Sequence, residues 1–129
     1  MGKSSQRKGA DGERELAAIL RERGYDVERG GSLTYGEIPD LTGLPGVHIE
    51  VKRVERLNVG EAMSQAIRDS ERFHDGAPAL FHRRSRAPWL VTMLLEDWLR
   101  LYESSYTVRS SGSNTSPRSP PGPGRSDGL

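Results

Sequence analysis

Pro39-Asp40-Leu41-Thr42-Gly43-Leu44-Pro45-Gly46-Val47-His48-Ile49-Glu50-Val51-Lys52 reads as two short strands around a turn. The Gly43 to Gly46 segment, Gly-Leu-Pro-Gly, is a turn signal between apolar runs. The second run alternates, with Val47, Ile49 and Val51 on one face and His48, Glu50 and Lys52 on the other. If residues 40–42 pair with 47–52, the Asp40 and Glu50 side chains converge on one sheet face. Lys52 lies two residues beyond Glu50 and points to the same side. Two convergent carboxylates form a hard oxygen site suited to Mg²⁺, which keeps several waters and takes few protein ligands. An ammonium beside them can hold or deprotonate an attacking water and offset charge on a phosphodiester.

Outward from this hairpin, the apolar spacing of Leu16, Ala17, Ile19 and Leu20 predicts a helix over residues 10–23. Asp11 is its candidate N-cap, and Gly24 terminates it as the C′ residue. Residues 25–29 alternate as a short strand, and 30–37 form a Gly-rich loop. After the hairpin, Val59, Ala62, Met63, Ala66, Ile67 and Phe73 make an apolar helical stripe. Asn58 and Glu61 at its start resemble a capping box. Residues 78–82 and 89–93 are strands joined by a basic loop, 83–86, and 94–102 is a terminal helix. Helix, three strands, helix, one or two strands, helix describes a mixed α/β domain around a central sheet. Within the first helix, Glu13 falls at the edge of the apolar face, three residues before Leu16, while Glu15 points away from it. An acid turned toward the sheet brings a third carboxylate to the same place.

Each of these acids also has a plainer reading. Asp40 after Pro39 is a common turn residue, Glu50 and Lys52 can be a solvated pair, and Glu13 suits a helix N-terminus. The ordered combination carries more than its parts. With 129 residues there is room for one domain. Residues 103–129 are rich in Ser, Pro and Gly and are read as a disordered tail. Residues 1–9 carry Lys3, Arg7 and Lys8 without an acid and are read as a basic arm, leaving 10–102 as the folded domain. The net charge of +1 is uninformative, but this arm and the Arg83, Arg84, Arg86 cluster fit a nucleic-acid footprint. The absence of Cys excludes disulfides and thiolate metal sites, and His74 and His82 lack ligand spacing for zinc. No apolar run reaches ~18 residues, so a soluble cytoplasmic protein with no membrane partner is expected.

The chain "KGADGERELAAILRERGYDVERGGS" around Glu13, followed by Pro39-Asp40 and then Glu50-Val51-Lys52, resembles the PD-(D/E)XK nuclease superfamily. Its opening is similar to archaeal-type Holliday junction resolvases and their phage relatives. The resemblance covers about residues 8–73, and the later strands match in pattern alone. It implies a restriction-endonuclease-like αβββαβ core with a mixed central sheet flanked by helices. It also implies a metal site of Asp40, Glu50, the Val51 carbonyl and Glu13, with Lys52 as the catalytic lysine. Ser32 matches a loop serine near the scissile phosphate, and Gln65 a glutamine beside the site.

The expected activity is Mg²⁺-dependent DNA phosphodiester hydrolysis at branched DNA such as a four-way junction, with Mn²⁺ as a substitute. Lys8, Arg29, Arg53, Arg83 and Arg84 are candidates for DNA backbone contacts, which position DNA without reading its sequence. Two symmetric cuts at a junction call for a homodimer. The apolar surplus at Trp89, Leu90, Leu95, Trp98, Leu99 and Tyr102 offers material for one, or closes the domain's own core. Two other readings stand beside this one. One is a nuclease of the same fold acting on flaps, ends or RNA. The other is a non-catalytic DNA-binding module of that fold, which the intact acidic set argues against.

Overall fold

The computed structural model describes residues 2–30 and 38–113, with side chains over 9–30 and 38–106. Two compact units divide at Leu94 and Leu95. The first holds α1 (Gly2–Glu22), β1 (Glu28–Arg29), β2 (Leu41–Thr42), β3 (Val47–Arg53), α2 (Val59–Phe73), β4 (Ala77–Arg83) and β5 (Leu90–Met93). The second holds α3 (Leu95–Ser113). The strands form one sheet in the order β1-β2-β3-β4-β5. β3 and β4 run parallel, joined through α2, and the other neighbours are antiparallel. This is the mixed α/β sheet that the strand and helix order predicts.

The expected hairpin forms, with Leu41 opposite Ile49. At its turn Gly43 has φ +122°, and a Cβ there would lie 2.3 Å from the Asp26 carbonyl oxygen, so only glycine fits. β3 is central and buried on both faces. On one side Ile49 and Val51 pack with Leu16 and Ala17 of α1, Val27 and Leu41, backed by Phe81 and Trp89. On the other, Leu80 packs with Ala62 and Met63 of α2. α2 starts where its cap predicts: the Glu61 N–H donates to Asn58 Oδ1 at 3.0 Å. It ends at His74, whose αL backbone lets its N–H reach the Ser70 carbonyl.

Several boundaries differ from the sequence reading. α1 begins at Gly2 rather than residue 10, so the expected arm is helical in its backbone. Gln6, Arg7 and Lys8 are good helix formers, and extending an existing helix costs far less than nucleating one. Asp11 therefore sits inside the helix and pairs with Arg14 at 3.1 Å instead of capping. The strand expected over 25–29 shrinks to Glu28–Arg29. The Tyr25 N–H bonds back to the Leu20 carbonyl, closing the helix and removing its donor from any ladder. α3 runs past Tyr102 to Ser113, so that part of the expected disordered tail is helical. Trp98, Tyr102 and Tyr106 stack at four-residue spacing along it, which supports the extra turn. Among the described residues no helix is long and apolar enough to cross a membrane.

Candidate active site

β3 carries the centre of the site. Its even-numbered residues face α2, and among them Glu50 is only 4 % exposed. A carboxylate that deep is not a member of a solvated pair, which removes the plainer reading of Glu50 and Lys52. Glu50 Oε2 lies 3.9 Å from Lys52 Nζ, and Oε1 lies 3.5 Å from His48 Nε2. Asp40 stands just before β2, and its Oδ2 accepts the Val51 N–H at 3.0 Å. That bond ties the Asp40 carboxylate to the strand bearing Glu50, and excludes a role confined to the turn. Glu13, from α1, accepts from Arg29 Nε at 3.2 Å.

The three acids act on one another electrostatically. Burial, and then the charge of Glu50, raises the Asp40 pKa from its ordinary 3.8 to about 7. The Val51 N–H and Lys52 oppose this without cancelling it. Burial also raises Glu13, with Glu50 adding to the rise and Arg29 opposing it. Among the described residues Asp40 has no ion pair, although it shares a desolvated corner with two other carboxylates. Such a set is short of positive charge and rich in hard oxygen donors, which fits a divalent cation of the Mg²⁺ type. The residues present therefore suit a divalent metal ion.

The candidate DNA contacts separate into groups. Arg84 is exposed on the β4–β5 loop. Gln65 is half-buried on α2. Arg29 is engaged by Glu13, and Arg53 and Arg83 both approach Glu15 of α1, Arg53 Nε at 3.4 Å. The side chain of Lys8 and the whole of Ser32 lie outside the described residues. Glu15 is a residue whose part was not foreseen. It turns from the apolar face as expected, but toward two arginines rather than water. Gly12 makes room for this, since a Cβ there would sit 2.9 Å from the Arg53 Cβ.

Sequence reasoning also passed over Asp75 and Asp69. Asp75 follows α2 and holds His48 Nδ1 with both carboxylate oxygens, at 2.9 and 2.8 Å. His48 is fully buried. The signal for Asp69 was present: it falls at the helical spacing of Ala62, Ala66 and Phe73, an acid within an apolar stripe.

No curated protein matches the chain significantly. Among solved structures it is similar to Hjc, a Holliday junction resolvase from the archaeal hyperthermophile Archaeoglobus fulgidus. The two share 23 % sequence identity at a TM-score of 0.51, over 67 % of this chain and 72 % of that one, a likeness of fold. A family model described as archaeal Holliday junction resolvase (Hjc) matches residues 4–117. The chain belongs to the archaeal Holliday junction resolvase family, and is thereby a structure-selective endonuclease that depends on a divalent metal and acts at DNA junctions.

Proposed function

We propose that Asp40, Glu50, the Val51 carbonyl and Glu13 hold Mg²⁺, with Mn²⁺ able to replace it, and that Lys52 is the catalytic lysine. The observation that carries this reading is the raised pKa of Asp40, about 7, beside a buried Glu50. A carboxylate made unfavourable to ionise in isolation is stabilised when a cation joins it. A bound ion of this kind supplies polarisation of the phosphoryl oxygen and counter-charge for the leaving oxygen. Lys52 orients the attacking water and offsets charge on the phosphodiester, and Glu50, 3.9 Å away, holds its ammonium in place. Asp40 and Glu50 are fixed to adjacent strands, so little reorganisation accompanies substrate binding.

Residues 10–102 carry the activity, flanked by the arm at 1–9 and the tail at 103–129. Lys8, Arg29, Ser32, Arg53, Gln65, Arg83 and Arg84 contact the DNA. A homodimer presents one site to each of two opposed strands of a four-way junction. Exposed Leu90 and Val91 on the edge strand β5 support such an interface. Incubation with junction, flap, duplex and single-stranded DNA in Mg²⁺ tests the proposal. Paired nicks at the junction are expected, with light scattering at twice the 14.3 kDa chain mass. Equal cleavage of junction and plain duplex by a monomer would overturn the dimeric reading. Normal cleavage by Asp40→Asn would overturn the site.

A further inference from the structure

His48 is used by none of this chemistry, yet its ring is held with unusual care. Its Nδ1 is engaged by both oxygens of Asp75, and its face stacks on Phe73 with ring centroids 6.2 Å apart. The other nitrogen, Nε2, is completely buried and has no hydrogen-bond partner among the described residues. It faces Glu50 Oε1 at 3.5 Å. One donor atom each from His48, Glu50 and Asp69 lie within 4.8 Å of one another. Ligands about 2.0–2.2 Å from a tetrahedral ion stand ~3.3–3.6 Å apart. His48 Nε2 and Glu50 Oε1, at 3.5 Å, already have this spacing. The partly exposed Asp69 carboxylate closes by at most ~1.5 Å to complete the set. A histidine whose remote nitrogen is fixed by a carboxylate while the near one is left bare is the usual arrangement of a metal-bound imidazole.

We propose that His48 Nε2, Glu50 Oε1 and the Asp69 carboxylate form a second cation site on the α2 side of β3, taking a first-row divalent ion such as Mn²⁺ or Zn²⁺. The nitrogen donor selects this class over Mg²⁺, which prefers oxygen ligands alone. The two oxygens of Glu50 face different neighbours, Oε1 toward His48 and Oε2 toward Lys52. Glu50 is thus able to serve both sites. Asp69 approaches from α2, so the ion also fastens that helix to β3. Glu50 Oε1 and the Asp75 carboxylate both face the imidazole, so the pocket gathers anionic oxygens that a bound cation offsets. The inference shares Glu50 with the Mg²⁺ site proposed above but does not need Asp40 or Glu13.

The test is a titration of the ¹⁵N-labelled full chain with Zn²⁺ alone at pH 7.5, read on the His48 ring nitrogens by NMR. Nε2 is expected to take a metal-bound shift. Asp69→Asn should weaken Zn²⁺ at His48 at least about tenfold, and Asp75→Asn, which frees the ring, by roughly 10–100-fold. Asp69 is partly exposed, so Asp69→Asn should keep the wild-type circular dichroism spectrum. Asp40→Asn, by contrast, should leave the His48 response intact while losing Mg²⁺-dependent cleavage, which separates the two sites. A His48 Nε2 that stays protonated at saturating Zn²⁺, bridging Asp75 and Glu50 as an imidazolium, would overturn the second site. So would a His48 response unchanged in Asp69→Asn.

Discussion

On the α1 side of β3, Ile49 and Val51 are packed among Leu16, Ala17, Val27 and Leu41, and the face ends at Arg53, which meets Glu15. On the α2 side of the same seven residues, His48 and Glu50 are buried as deeply, yet they have carboxylates and a bare nitrogen for company. One face excludes water and gains stability from it. The other excludes water and sets charge against charge. Burying an ionised group costs several kcal/mol unless it is compensated, and a small domain has little stability to spare. The charges on the α1 side are neutralised locally, Glu15 standing between Arg53 and Arg83. On the α2 side, no described residue forms an ion pair with Asp40, and the Lys52 charge does not cancel its burial. The deficit is confined to the corner where the proposed metal and a phosphodiester would supply the missing interactions.

The widest break between the two faces should come from substitutions that remove charge without removing volume. Glu50→Gln and Asp40→Asn should each lower junction cleavage on the order of 10³-fold or more, by loss of several kcal/mol of metal-held charge stabilisation. Their far-ultraviolet circular dichroism and DNA retention should stay near wild type. Residual cleavage within tenfold of wild type, on pure protein, would place the metal elsewhere. The converse substitution, Ile49→Ala, empties a fully buried position of the apolar face. It should cost about 2–4 kcal/mol of unfolding free energy by denaturant titration. The metal concentration for half-maximal cleavage should not move while the protein is folded.

A smaller effect follows from Asp40 and depends on pH. Its folded pKa of about 7 exceeds the ordinary 3.8, so the metal-free folded state holds a proton that the unfolded chain releases. The stability this brings is fully present below about pH 4 and is lost as pH rises through 7. At pH 8, without divalent metal, Asp40→Asn should therefore be more stable than wild type, by roughly 1–3 kcal/mol after solvent screening is allowed for. Adding metal at pH 8 should close the gap by stabilising wild type alone. A variant less stable than wild type across pH 5–8 would contradict the charge deficit itself.

How far the sequence foretold this contrast depends on range along the chain. The hairpin and its acids were readable because alternation and turn chemistry are local, and Asp40 and Glu50 are brought together by one short turn. α2 was readable to the residue through Asn58 and the stripe from Val59 to Phe73. The burial of the polar face was not readable from β3 alone. It arises because β4 pairs parallel to β3 and α2 returns across that face, which makes an alternating strand central rather than half-exposed. The same cause hid Asp75 and Asp69, whose role depends on where the crossover places them. The ends of α1 and α3 were missed because apolar spacing marks only the part of a helix that packs.

The smallest effect lies at the end of the α1 face and asks whether its charges are structural only. Glu15 approaches Arg53 and Arg83, whose side chains are 25 % and 20 % exposed, from a helix held close by Gly12. Partly exposed pairs are worth little, so Glu15→Gln should cost about 0.5–1 kcal/mol by denaturant titration. The sign of its effect on DNA is more telling. If Arg53 and Arg83 contact phosphates, as proposed, Glu15 competes with DNA for the same guanidinium groups. Removing it should then tighten junction binding a few-fold at low salt, and the gain should fade as salt screens the phosphates. The cleavage rate at saturating DNA should stay within about twofold, because neither arginine touches Asp40, Glu50 or Lys52. Weaker binding in Glu15→Gln would mean that the acid positions both arginines for DNA. Unchanged binding at every salt concentration would mean that the α1 face, charges included, does nothing but hold the sheet.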